Sequence, residues 1–118
     1  MNNNDINIIP EVTYNNADIN KFIIYKENRN KSGIYRWINK INGKSYVGSS
    51  IDLAGRLSIY YSLSSLKREG KGSIIIRRAL LKYGYYNFSL EILEYCEIDV
   101  LIAREQYYID LLKPEYNI

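Results

Sequence analysis

The sequence predicts a mixed α and β domain of the α+β type, a small three-stranded antiparallel sheet flanked by helices. Three observations lead there. Residues 33–48, GIYRWINKINGKSYVG, read as a hairpin. Asn42-Gly43 is a strong short-range hairpin signal, because both residues tolerate the positive φ of a type I′ turn. Residues 87–95, NFSLEILEY, put Phe88, Leu90 and Ile92 on one side and Ser89, Glu91 and Leu93 on the other, the period of a third strand. Between and after these runs lie stretches of helical period bounded by capping and breaking residues. A chain of 118 residues suits one domain with a sizeable core.

Taken in order, residues 1–20 hold seven asparagines and little periodicity, so residues 1–30 read as an Asn-rich leader, partly disordered. Asn20 to Tyr25 is either a short strand or a docking segment, and the polar run Lys26 to Lys31 marks the boundary of a domain over 31–118. In the hairpin, Tyr35, Trp37 and Asn39 share one face, and Tyr46 shares one with Lys44 and Gly48. On its own this is an aromatic amphipathic ribbon.

Asp52 is placed to cap a helix running to about Arg68, with Gly70 beyond its end. On a helical wheel Leu53, Ile59, Tyr60 and Leu63 cluster around Arg56. An arginine on such a stripe snorkels, pairs with a carboxylate or points into a cleft. Gly55 beside it costs about 1 kcal/mol relative to alanine in a helix interior. A basic loop, Lys67 to Gly72, precedes a second helix from Ile74 to Tyr83, capped by Ser73 and closed by Gly84. Its exposed side is expected to carry Arg77, Arg78 and Lys82. After the third strand, an acidic turn at Cys96 to Asp99 leads into a last helix from Val100 to about Leu112, with Pro114 enforcing the exit. Here Glu105 falls among Leu101, Ile102, Tyr108, Ile109 and Leu112 on the wheel. A buried unpaired carboxylate costs several kcal/mol, on the order of a lost ion pair. Glu105 therefore needs a cation, and both an Arg56 partner and a divalent metal satisfy that need.

Composition narrows the chemistry. The chain has no histidine, which excludes mechanisms built on imidazole, and its one cysteine, Cys96, excludes internal disulfides and cysteine-cluster metal sites. Thirteen tyrosines against two phenylalanines and one tryptophan place many rings at the core's edge or along a polar cleft. No apolar run approaches membrane-spanning length, and the N-terminus lacks a secretory signal. Net charge is +3, unevenly spread: residues 31–84 hold eleven basic and two acidic side chains, whereas residues 85–118 hold two basic and seven acidic. A basic centre suits a phosphate-backbone partner or a plain solvated face.

The ordered set Gly33-Ile34-Tyr35, a short spacer, Tyr46-Val47-Gly48, Arg56, Tyr60, Glu105 and Asn117 resembles the GIY-YIG nucleases. Within that family it is most similar to intron-encoded homing endonucleases of fungal mitochondria. The resemblance spans about Lys31 to Ile118. It implies a metal-dependent endonuclease that hydrolyses phosphodiester bonds of double-stranded DNA. Tyr35, Tyr46, Arg56 and Tyr60 would form the catalytic set, Glu105 would hold one Mg²⁺ (or Mn²⁺), and Asn117 would tether the C-terminal segment. Lys44 or the metal would have to lower a tyrosine pKa from about 10 for it to act as a base. Lys67, Arg68, Lys71, Arg77, Arg78 and Lys82 would follow the DNA backbone. A monomer in the mitochondrion, with no membrane segment and no small-molecule cofactor, completes the expectation. The rival is a nucleic-acid-binding module on the same scaffold without catalysis. Family members often carry separate DNA-recognition modules, so a chain ending at Ile118 is expected either to be shortened or to have little sequence specificity.

Overall fold

A single antiparallel sheet, ordered β1-β4-β2-β3, organises the computed structural model, which describes residues 8–62 and 74–117. The elements are β1 (Val12–Tyr14), α1 (Lys21–Glu27), β2 (Gly33–Asn39), β3 (Ser45–Ser50), α2 (Leu53–Tyr60), α3 (Ile74–Tyr83), β4 (Phe88–Tyr95) and α4 (Leu101–Leu112). Single 3₁₀ turns at Tyr85–Asn87 and Ile98–Val100 lead into β4 and α4. The hairpin, the third strand and the helices over 74–83 and 101–112 stand where the sequence puts them. The helix from Leu53 is shorter than the expected run to Arg68: it ends at Tyr60, with Tyr61 as its C-cap and Ser62 outside it, and residues 63–68 lie outside the described residues.

The sheet has four strands rather than three. The extra one, β1, comes from the stretch expected to be a loose leader. It pairs antiparallel with β4, Val12 opposite Ile92 and Tyr14 opposite Leu90, extended by Glu11 N donating to Ile92 O at 2.8 Å and Ala17 N to Phe88 O at 3.0 Å. Asn20 to Tyr25 is not a strand: Lys21–Glu27 forms α1, which docks on the core through the fully buried Ile24. Asn28 then locks this region to the domain. Its amide nitrogen donates to Ile24 O at 2.8 Å and to Tyr14 Oη at 3.2 Å, and its oxygen accepts from Tyr95 Oη at 2.8 Å. Residues 8–30 are thus part of the fold, and no break separates them from the hairpin.

The sheet is covered on both faces, which is why β2 and β4 carry buried residues of both parities. On one face Tyr35, Trp37, Phe88, Leu90 and Ile92 meet Ile24 of α1, Leu53, Leu57 and Tyr60 of α2, and Ile76 and Leu80 of α3. On the other, Ile34, Val47 and Leu93 meet Leu101 and Tyr108 of α4. A salt bridge fastens α4 to β4: Arg104 reaches Glu94 at 2.7 Å, and Tyr108 Oη donates to the same carboxylate at 2.8 Å.

The hairpin connection differs from a two-residue type I′ turn. Only Gly43 takes a positive φ, 78°, and Asn42 does not. The strands are instead closed by Asn39 N donating to Lys44 O at 2.8 Å and Gly43 N to Asn39 O at 2.7 Å, with the Asn42 side chain accepting from Lys44 N at 2.9 Å.

β3 is an edge strand, and the C-terminal segment covers part of it. After α4, Lys113 turns left-handed (φ 47°) and Pro114 is buried. Tyr116 N then donates to Ser45 O at 2.9 Å. The Asn117 amide mimics a backbone unit: its oxygen accepts from Val47 N and its nitrogen donates to Val47 O, both at 2.8 Å. An edge so covered is closed to another chain.

Candidate active site

Tyr35 projects from β2 into the helix-covered face and is 2% exposed. Its cross-strand partner is Gly48, and a Cβ there would meet the phenol oxygen at 2.5 Å and Cζ at 2.6 Å. Glycine is required because the ring lies over it. The Tyr35 hydroxyl is 2.8 Å from that of Tyr60, which α2 delivers from its buried side alongside Leu53 and Leu57. Tyr46, opposite Trp37 on β3, is half-buried, with its ring centroid 6.5 Å from that of Tyr35. Three phenols therefore share one corner at the β3 edge.

Burial dominates their acidity. It pushes the Tyr35 phenol well above its ordinary value of 10.0, reinforced by Tyr60 and Tyr46 and opposed by Arg56. Tyr46 is raised first by burial and then by the Glu105 charge, while a hydrogen bond with Tyr60 and the charges of Arg56 and Arg77 pull it down. Tyr60 is raised by burial and by Tyr46, against the Tyr35 hydrogen bond, Arg56 and Arg77. A carboxylate from α4 and a guanidinium from α2 thus act on the same phenol, Tyr46, from elements on opposite faces of the sheet.

Arg56 is exposed, not set in the apolar stripe: the buried face of α2 is Leu53, Leu57 and Tyr60, and Ile59 is 41% exposed. Arg56 flanks that face, open to a solvent-borne ligand. Gly55 beside it belongs to the first turn rather than the helix interior. A Cβ there would overlap the Asp52 carboxylate, which caps the helix by accepting from Gly55 N at 3.1 Å. On α4 the buried positions are Leu101 and Tyr108, while Ile102 is 76% exposed. Glu105 is half-buried at the margin of this face. It makes no ion pair with Arg56; its Oε1 instead accepts from Ser49 Oγ of β3. Among the described residues no cluster of three His, Cys, Asp or Glu could hold a metal.

The remaining candidates separate. Lys44 is exposed at the hairpin turn, two residues before Tyr46. Asn117 is engaged on both sides by Val47. Arg78 and Lys82 are exposed one turn apart on α3, as expected. Arg77 is not on that exposed side: it is 5% exposed, and its charge acts on Tyr46 and Tyr60. Its wheel position lies at the border of the apolar stripe, where sequence does not decide. Lys67, Arg68 and Lys71 lie outside the described residues. The sequence reading missed Ser49, whose partner is 56 residues away, beyond the reach of any local pattern.

Residues 31–117 match the GIY-YIG catalytic domain. The chain belongs to the GIY-YIG family. It is 31% identical over 110 residues to "Probable intron-encoded endonuclease 1" of Neurospora crassa, covering 91% of this chain and 34% of that protein. It is 36% identical over 89 residues to "Intron-associated endonuclease 1" of Enterobacteria phage T4, covering 74% of this chain and 35% of that one. The chain therefore spans about a third of these curated relatives. The catalytic domain of the homing endonuclease I-TevI has the same architecture, with a TM-score of 0.59, 35% identity, and coverage of 74% of this chain and 94% of that one. In this GIY-YIG chain the family's name-giving tyrosines, Tyr35 and Tyr46, are the pair whose rings meet across β2 and β3. The charges of the helix arginine and the late glutamate act in opposite directions on the second of them.

Proposed function

We propose that this GIY-YIG domain is the catalytic part of a homing-endonuclease-like enzyme that hydrolyses phosphodiester bonds of double-stranded DNA with one bound Mg²⁺. The observation that carries this reading is the match of residues 31–117 to the GIY-YIG catalytic domain, with Tyr35, Tyr46 and Tyr60 gathered at one corner. Arg56 is exposed and Glu105 lies at the margin of the buried face of α4, and together they supply the opposite charges that phosphoryl chemistry uses.

Phosphodiester hydrolysis needs an oriented water, stabilisation of charge growing on the phosphoryl oxygens, and help for the leaving oxygen. Arg56, exposed beside the phenols, offers a planar fork suited to two phosphoryl oxygens. Tyr46 is half-buried, whereas Tyr35 and Tyr60 are buried, so Tyr46 is the phenol that meets water or phosphate. Tyr35 and Tyr60 hold it in place. Burial is the largest cause raising the Tyr46 pKa, so Tyr46 works as an O–H donor that orients the nucleophile or the phosphate.

The donor set fits Mg²⁺. Glu105 is a hard oxygen donor with no ion pair among the described residues, and magnesium is commonly bound through one carboxylate plus water and phosphate. When bound, the ion supplies Lewis-acid stabilisation of the phosphate and a more acidic water. Double-stranded DNA as partner, a monomeric state and a mitochondrial location belong to the same proposal. The fungal and phage relatives point to different compartments, so fractionation of the native host decides the last.

Nicking of supercoiled plasmid in Mg²⁺ or Mn²⁺ tests the reading. The wild-type chain is expected to nick, and Glu105→Ala to lose nicking in either metal while keeping DNA affinity. Binding without nicking at high protein in either metal would leave a binding module on the same scaffold.

A further inference from the structure

We propose that Ser49 is a positioning residue for Glu105, holding one carboxylate oxygen from the same strand that carries Tyr46. This inference rests on the reading of Glu105 as the metal-binding carboxylate.

The geometry begins with parity. Along β3, Val47 and Ser49 point to the face covered by α4, and Tyr46 and Gly48 point to the opposite face. Glu105 rises from α4 on the Ser49 side, yet its charge acts on Tyr46. β3, which carries both Ser49 and Tyr46, is the edge strand of the sheet. A glutamate side chain has three torsions to fix. Its own helix supplies no such restraint: Arg104, its neighbour, is committed to Glu94. The Ser49 hydroxyl is the group that holds Oε1, and Glu105 makes no salt bridge among the described residues. Among the described residues no hydrogen bond engages Oε2.

Ser49 itself is rigidly held. It sits opposite Ile34, a fully buried residue of β2, and follows Gly48, which is pinned beneath the Tyr35 ring. Two residues earlier on the same edge, Asn117 clamps Val47. The hydroxyl is therefore anchored to the same strand that presents Tyr46, so the carboxylate and the phenol are referenced to one element. Hydrogen-bonding partners of metal-binding carboxylates commonly change metal affinity 10- to 100-fold, about the range expected here.

The test uses the full chain with Mn²⁺ as probe, read by electron paramagnetic resonance, beside the Mg²⁺ dependence of plasmid nicking. Ser49→Ala is expected to weaken Mn²⁺ binding about tenfold. It should raise the Mg²⁺ concentration for half-maximal nicking by a similar factor, with a much smaller change in rate at saturating Mg²⁺. Ser49→Thr keeps the hydroxyl and suits a strand, so it should return both values to within about threefold of wild type. The inference is overturned if Ser49→Ala matches wild type in both readouts while Glu105→Ala loses Mn²⁺. It is also overturned if Thr behaves as Ala does, because the effect would then be packing. If Glu105→Ala keeps wild-type Mn²⁺ affinity, the metal assignment itself fails, a result separable from the other two.

Discussion

Gly48 shows how a motif residue is set by what lies over it. The third position of the second tripeptide must be glycine because Tyr35 crosses from β2 and rests where a Cβ would stand. Gly48→Ala forces the phenol off its place and breaks its alignment with Tyr60. Inserting atoms into a close-packed site costs about 1–3 kcal/mol. Urea titration should show a lower midpoint with an unchanged slope, and nicking should fall more than stability alone accounts for. At this scale the sequence was legible where a local pattern places a residue, as with Tyr35 and Tyr46 on the paired strands of the hairpin. It was not legible where burial depends on a neighbour from elsewhere. Arg77 and Arg78 are adjacent and chemically identical, yet one is buried and the other exposed. Arg77 lies at the border of the apolar stripe and Arg78 about 100° further round, and what covers that border comes from elsewhere in the chain.

Among the elements, the hairpin and α4 were readable because each is long enough to show its period, and β1 was not. Three residues cannot display alternation, and VTY lies in a run whose asparagines read as disorder. Its strand character comes from β4, which offers an unpaired edge, and its attachment from Asn28. That side chain is fully buried and joins Tyr14, Ile24 and Tyr95. Asn28→Ala leaves these partners without their bonds inside the protein, and the cost of unsatisfied buried groups is about 1–3 kcal/mol. The expected outcome is a lower thermal midpoint together with faster amide exchange in residues 12–28. The tyrosine corner lies at β3, the far edge of the sheet. Mg²⁺-dependent nicking at low temperature should therefore change little. Equal loss of activity and stability would instead tie this N-terminal region to catalysis.

For the molecule as a whole, charge is the property that the sequence displayed most directly and the fold redistributed. The basic excess of residues 31–84 does not become one uniform stripe. Arg77 turns inward to the phenols, Arg36 pairs across the sheet with Glu91 at 3.6 Å, and Lys40 donates to Asn15 O at 2.7 Å. Arg78 and Lys82 remain exposed on α3, one turn apart, and Arg56 lies exposed beside Tyr46. If DNA lies across the β3 edge with its phosphate at Arg56, α3 is the element whose free cations can follow the backbone. Each phosphate neutralised releases counterions, so the slope of log affinity against log salt falls by about 0.9 for each contact removed. Arg78→Ala with Lys82→Ala should therefore flatten that slope by about 1.8 and weaken binding equally across unrelated duplexes. The nicking rate at saturating DNA should stay near wild type, because neither residue approaches the phenols. Fluorescence anisotropy from 50 to 300 mM salt measures the slope. An unchanged slope would move the DNA path off α3 to other cations, among the described residues Arg56 and Lys44, both exposed.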